Sequence, residues 1–370
     1  MAAPQGWAGA RVREHGGSGA RERGGGDAVG IALLGACALW PLISAAGRDA
    51  RPEGVLLAVL AVAAGYACGR ATGAPLPVAA GCLVSLAALG LAVVSPEGVP
   101  GAHPVALGRP GLTGVTAALL VLSASAACCA AAAARRRVVR GVLWLLGPAV
   151  GVIALVLGSP AGFIAVSGVV LCSLAAARMR RRRAALGGLV LGTAVVAGVL
   201  WGVAVSALPR GLAVSLEGQL TRHRVTLWRE AVSIAGADPL RGAGPGRFGK
   251  LSTTAQQSAY LDGTPHSALF QQAAEQGAVG VALLAAAFGW LLYGLWRSPR
   301  ATAVVLSAAA GLTALAVVAV LGNALSFTPV TMGAGLLAGL ATARTTPACA
   351  PPAPHPPPGP GARGPEDGPG

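Results

Sequence analysis

Residues 160–208 read PAGFIAVSGVVLCSLAAARMRRRRAALGGLVLGTAVVAGVLWGVAVSAL, two apolar runs separated by the basic cluster RMRRRR at 178–183. A bilayer span needs roughly 20 mostly apolar residues, because inside lipid each backbone N–H and C=O must be satisfied within its own helix. The same alternation of apolar run and short loop continues in both directions. It predicts about ten spans, near 28–46, 54–71, 76–95, 112–134, 138–158, 160–177, 184–208, 266–296, 301–322 and 329–343. The expected fold is therefore all-α, a polytopic transmembrane helical bundle with one large extracytoplasmic loop. Composition agrees: with 54% hydrophobic and 11% charged residues and a mean hydropathy of +0.66, 370 residues carry too much apolar surface for a water-soluble globule.

A formal net charge of +15 raises the idea of a nucleic-acid partner. The arginines argue against it, because they fall in short clusters between spans. Arg11, Arg13, Arg21 and Arg23 precede the first span, Arg70 follows the second, Arg135, Arg136, Arg137 and Arg140 the fourth, RMRRRR the sixth, Arg297 and Arg300 the eighth, and Arg344 the last. Basic loops face the cytoplasm, so this alternation predicts a multi-pass cell-membrane protein with both termini cytoplasmic. Residues 1–27 read as a basic, disordered cytoplasmic N-terminus. Spans one to seven then occupy 28–208, the extracytoplasmic loop 209–265, spans eight to ten 266–343, and a Pro/Gly-rich disordered cytoplasmic tail 344–370. No small-residue cleavage site precedes Arg48, so the first run reads as an uncleaved span. Six cysteines lie in or at the ends of spans and Cys349 in the tail, a distribution that indicates neither disulfides nor a zinc site.

The loop 209–265 alone is large enough to hold a site, and it is basic against the topology bias. An anionic ligand at the outer membrane surface would explain that. LTRHRVTLWREAVSIAGADP (220–239) reads as a helix ended by Gly236 and Pro239. At about 100° per residue, Leu220, Arg224, Leu227, Trp228, Ala231 and Ala235 share one face, with Arg222, Arg229 and Ser233 opposite. Arg224 in an apolar stripe must meet a carboxylate, a phosphate or backbone carbonyls, or else snorkel along Trp228. Next comes PLRGAGPGRFGK (239–250), whose glycines between Arg241, Arg247 and Lys250 permit an anion-binding nest or simply a tight turn.

Thr264 fits an N-cap and Pro265 the first helical position, which puts His266 in the first turn of the eighth span. There it is a candidate general base, with Asp262 near enough in sequence to orient the ring; a helix-anchoring role is the alternative. Ala273, Gly277 and Gly280 project on the side of His266 and suit close helix packing, while Glu275 projects opposite and reads as structural, or else as part of a polar cavity. Stacking platforms for a sugar are limited to Trp228, Phe248, Tyr260 and Phe270.

Together RVTLW (224–228), DPLRGAGPGRF (238–248) and HSALFQQAAEQGAVG (266–280) resemble the core of the O-antigen ligase and O-antigen polymerase superfamily. Its members carry an arginine four residues before a tryptophan, a proline-leucine-x-glycine-x-glycine turn, and a histidine followed by a small polar residue, nine variable residues and glycine-x-x-glycine. His266, Ser267, Gly277 and Gly280 fill the last pattern, and the resemblance covers roughly 222–290. It implies a helical fold like that of C-type glycosyltransferases and transfer of a glycan from an undecaprenyl diphosphate carrier to a glycan or lipid acceptor, without metal or other cofactor. In that role His266 serves the acceptor hydroxyl and Arg224 the diphosphate, while Arg222, Arg241, Arg247 and Lys250 are the available substitutes for a second phosphate ligand that this chain lacks at the family's usual place. One departure stands out. Where the family commonly shows a serine-arginine-glycine-like motif, this chain has Ser159-Pro160-Ala161-Gly162, with proline in place of arginine. Ligase and polymerase differ only in the acceptor. A transporter or non-catalytic scaffold is the reading from another class, disfavoured because the spans hold almost no ionisable group apart from Glu275.

Overall fold

The computed structural model describes residues 18–94, 110–176, 178, 182–207, 222–257 and 263–344. The 344–370 tail, apart from Arg344, and residues 1–17 lie outside them. Seven helices come first: α1 (Ser18–Ala45), α2 (Glu53–Gly73), α3 (Pro77–Val93), α4 (Pro110–Ala133), α5 (Arg137–Val156), α6 (Pro160–Ala176) and α7 (Arg182–Ala204). Three follow in the long loop, α8 (Arg222–Ala237), α9 (Phe248–Leu251) and α10 (Thr253–Gln257). The chain then runs through α11 (Ala268–Arg297), α12 (Thr302–Leu321), a 3-10 turn (Ala324–Ser326) and α13 (Thr328–Thr342). Among the described residues there is no strand.

Helices α1, α2, α4, α5, α7, α11 and α12 are long and apolar enough to cross a membrane, and α3, α6 and α13 are shorter apolar helices. These ten fall on the ten runs expected from hydropathy. Most boundaries agree to within about two residues, and α7 ends at Ala204, four short of 208. Helix α1 starts upstream of its span, at Ser18, and α11 begins at Ala268, two residues after His266. Large apolar side chains such as Ile31, Leu83, Val156 and Ile164 stand exposed on the outside, as a lipid-facing surface requires.

The bundle is centred on α4 and α12, whose spans are 89% and 72% buried where the peripheral α2 is only 17%. Small residues allow this: Ala117, Ala118, Ala124 and Ala127 have no exposed surface, and in lipid close backbone approach is a main source of helix association. The tightest seam joins α2 to α13. A Cβ added at Gly65 or Gly69 would collide with the carbonyls of Met332 or Leu336, and one at Gly335 or Gly339 with those of Val62 or Tyr66.

Connections of like parity meet at the same end of the bundle. At one end Arg300 donates to Ala343 O (2.8 Å) and to Gly73 O, and Arg182 to Ser298 O (3.1 Å) and Leu295 O. These guanidiniums satisfy carbonyls that helix C-termini leave open, where the helix dipole also favours a cation. At the other end the α1–α2 connection, α8 with its following turns, and the end of α12 come together.

Candidate functional site

Helix α8 buries the stripe expected of it: Leu227, Trp228 and Ala231 are buried, joined by Val225, while Arg229 is exposed. Trp228 stacks on Phe270 of α11 (5.1 Å between centroids), which stacks on Trp201 of α7 (5.5 Å). Trp228, Phe248 and Phe270 have no exposed surface. They are the small core that roots the loop in the bundle, not platforms for a sugar, which corrects that expectation; Tyr260 lies outside the described residues. Arg224 donates to the carbonyl of Leu321, the last residue of α12 (3.2 Å). Of the partners anticipated for it, the structure supplies backbone carbonyl, and burial pulls its guanidinium below the ordinary arginine pKa. Arg222 is the first residue of α8.

The glycine turn and α11 explain one another. At Gly277 the backbone takes φ 66°, ψ −163°, a region open essentially to glycine alone, and α11 breaks there. The break leaves carbonyls of the preceding turn without helical partners. The turn supplies them: Ala243 N–H donates to Ala274 O and Gly244 N–H to Glu275 O, while Ala278 N–H donates back to Pro239 O, each at 2.8 Å. Trp40 of α1 donates its indole N–H to Gln276 O (3.1 Å). Gly242 (φ 65°) passes so close to α11 that a Cβ would stand 2.6 Å from the nitrogen of Gly277. An anion-binding nest was one sequence reading of this turn. Amides of the nest are indeed engaged, but by the chain's own Glu275, whose buried carboxyl group accepts from the Gly246 and Phe248 backbone and from Gln271. Glu275, which the sequence presents as structural or as part of a polar cavity, is buried and lines a cavity along α11.

Thr264 is not the N-cap of α11, nor is Pro265 its first residue. Trp228 donates its indole N–H to Pro265 O (3.0 Å), and the chain then turns through His266 in the left-handed region, at φ 50°, before Ser267 caps α11 in an extended conformation. A left-handed histidine costs on the order of 1–3 kcal/mol and is kept only where its surroundings dictate it. His266 is 6% exposed, and the hydroxyls of Thr264 and Ser267 on either side are buried with no hydrogen-bond partner among the described residues. Asp262, the expected orienting group, lies outside the described residues.

Beside this segment opens a cavity of about 920 Å³ between α2, α7, α11 and α12. One end is polar, lined by Arg51, Gln271, Gln272, Glu275 and Asn323, and begins at Ala268, two residues after His266. From there it follows α11 to Trp296 along an almost wholly apolar wall. At 1.5 Å per residue, Glu275 to Trp296 is roughly 30 Å, the thickness of a bilayer's hydrocarbon core. Neither Ser159 nor Pro160 lines it.

The loop cations gather at the polar end, against a segment that sequence reading treated only as a span boundary. Arg241 donates to Ile43 O (2.9 Å), Arg247 to Ala243 O (3.2 Å), and Lys250 pairs with Asp49 (2.6 Å). From the α1–α2 connection, Arg48 pairs with Asp238 (2.8 Å) and donates to Gly242 O, and Arg51 N–H donates to Pro245 O (2.8 Å). Thus Arg241, Arg247 and Lys250 are brought together, each already holding the loop. Arg48 and Arg51 are the residues missed, whereas Glu275 reads from sequence as structural or as part of a polar cavity and does line one. A signal existed: two arginines in a short odd-numbered connection violate the positive-inside bias just as the long loop does.

Lys250 beside Asp49 holds that carboxylate below its usual pKa, and the Arg241 backbone N–H with Arg48 does the same for Asp238. For Glu230, burial pushes upward but hydrogen bonds from Ser252, Thr254 and Thr253 outweigh it and the net shift is downward. A folded pKa below the unfolded one stabilises fully above the unfolded value, about 4, and that contribution fades as pH falls through the folded pKa. Amide exchange should therefore show residues 238–257 protected at neutral pH and progressively less so below about pH 4, ahead of α4 and α12. Equal protection of loop and bundle down to pH 3 would contradict the clamp.

The sequence model of the O-antigen ligase family matches residues 149–285, from within α5 to the middle of α11. A search of curated proteins found no match.

Proposed function

Because residues 149–285 match the O-antigen ligase family model, we propose that this membrane protein transfers a glycan from an undecaprenyl diphosphate carrier to an acceptor hydroxyl. His266 accepts the proton of that hydroxyl, whose oxygen attacks the anomeric carbon. The bond from that carbon to the diphosphate oxygen breaks, and undecaprenyl diphosphate leaves with the electron pair, its charge stabilised by arginine. Arg224 is the first candidate for that task, with Arg222, Arg241, Arg247 and Lys250 around the same loop. The observation that carries the proposal is a bilayer-long apolar groove with a polar mouth whose lining begins at Ala268, two residues after a histidine held in strained backbone; His266 itself is not among the lining residues. A long isoprenoid fits such a groove, and its diphosphate then lies beside the residues that follow His266. Acceptor-dependent release of undecaprenyl diphosphate from a lipid-linked oligosaccharide tests it.

The same proposal sets the orientation, with the loop 209–265 outside and the termini and RMRRRR cytoplasmic. In a chain whose own cysteines are replaced by alanine, Ser258→Cys should react with an impermeant reagent in intact cells and Met179→Cys only after lysis. The reverse pattern would overturn both the topology and the chemistry.

Arg224→Lys should impair transfer far more than Arg229→Lys, at matched expression and melting temperature. Arg224 sits on the buried face against the end of α12, where a planar multidentate donor cannot be replaced by a point charge, and Arg229 is exposed. Equal losses would show that Arg224 has no special role.

A further inference from the structure

The groove is apolar over most of its length and polar at one end, so its occupant must combine a long hydrocarbon chain with a compact head. Two of its lining residues are cationic. Arg183 lies at the far end, its guanidinium 5.6 Å from the centroid of the Trp296 ring. Arg51 lies at the polar end, beside Gly246, Gln271 and Glu275. Its backbone is fixed by the bond to Pro245 O, and Gly246 packs against its Cβ, so the position of the side chain's root is dictated by the glycine turn.

The other cations of this end are engaged: Arg48 on Asp238 and Gly242, Arg241 on Ile43, Arg247 on Ala243, Lys250 on Asp49. Arg51 differs. It is exposed, its guanidinium makes no hydrogen bond to the described residues, and its charge reaches Asp49 only through space. A guanidinium fork binds phosphate in two-point fashion, and beside a low-dielectric wall such a contact is stronger than in water.

We propose that Arg51 is a ligand for the diphosphate of the prenyl-linked donor, holding the head at the polar mouth while the chain lies along α11. This rests on the donor assigned above. Two probes separate head from chain: undecaprenyl diphosphate and undecaprenol, which has the same chain and no charge. Binding of each is measured to purified wild-type protein and to Arg51→Gln and Arg51→Lys. Arg51→Gln should weaken undecaprenyl diphosphate binding by about 10–100-fold, the worth of a charge-assisted hydrogen bond, and leave undecaprenol unchanged. Arg51→Lys should fall between. Added salt should weaken diphosphate binding to the wild type more than to Arg51→Gln. Equal loss of both probes would make Arg51 a structural residue, and unchanged diphosphate binding in both variants would remove it from the site; either result overturns the proposal and leaves the donor assignment standing. A wild-type protein that binds neither probe would overturn the donor assignment and the role of Arg51 with it.

Discussion

His266→Ala is expected to lower glycan transfer by roughly 10²–10⁴-fold, the usual contribution of a general base, with undecaprenyl diphosphate binding little changed. The imidazole is the only ionisable side chain in the described connection from Gly263 to Ser267 that leads into α11, and the groove starts two residues beyond it. Its left-handed backbone complicates the variant, because alanine bears the same conformational cost without the packing of the ring. Asparagine is the better partner variant. It tolerates positive φ more readily than most residues and has no basic nitrogen, so His266→Asn should match the alanine variant in lost transfer while staying nearer the wild type in melting temperature. If His266 only anchored the chain, the alanine variant would melt earlier without a selective loss of transfer, and asparagine would recover much of the activity.

Gly277→Ala is expected to abolish transfer by a different route, through the loop. A side chain at φ 66°, ψ −163° costs on the order of 1–3 kcal/mol, and its Cβ would in addition collide with the carbonyl of Leu240. The collision would force the glycine turn off α11, breaking the three backbone bonds between them and displacing Gly246, against which Arg51 packs. Both melting temperature and donor binding should fall. Gly168→Ala in α6, at a position where an added Cβ meets nothing and away from the groove, should leave both unchanged. A Gly277→Ala protein with wild-type stability and activity would refute the interlock.

Hydropathy placed ten helices because lipid demands long apolar runs, a one-dimensional signal. The arginine alternation was equally legible, and the structure gives those residues a second role, since Arg182 and Arg300 close helix C-termini. Motif spacing located Arg224, the glycine turn and His266 in one region. The locking of that region was not legible. Thr264-Pro265-His266 has the local chemistry of a helix start, yet the indole of Trp228, 37 positions earlier, takes the carbonyl of Pro265 and moves the start to Ala268. The glycine turn suggested a nest for an external anion, and only the fold brings Glu275 to it. Arg51 had no motif; its place follows from contact between the α1–α2 connection and a turn almost 200 residues away.

Purified protein incubated with undecaprenyl diphosphate-linked oligosaccharide, with and without a hydroxyl-bearing glycan or lipid acceptor, tests the assignment directly. The expected result is acceptor-dependent release of undecaprenyl diphosphate with the oligosaccharide joined to the acceptor, reduced at least 100-fold in His266→Asn. Release that does not depend on the acceptor, or that proceeds at the wild-type rate in His266→Asn, would contradict it.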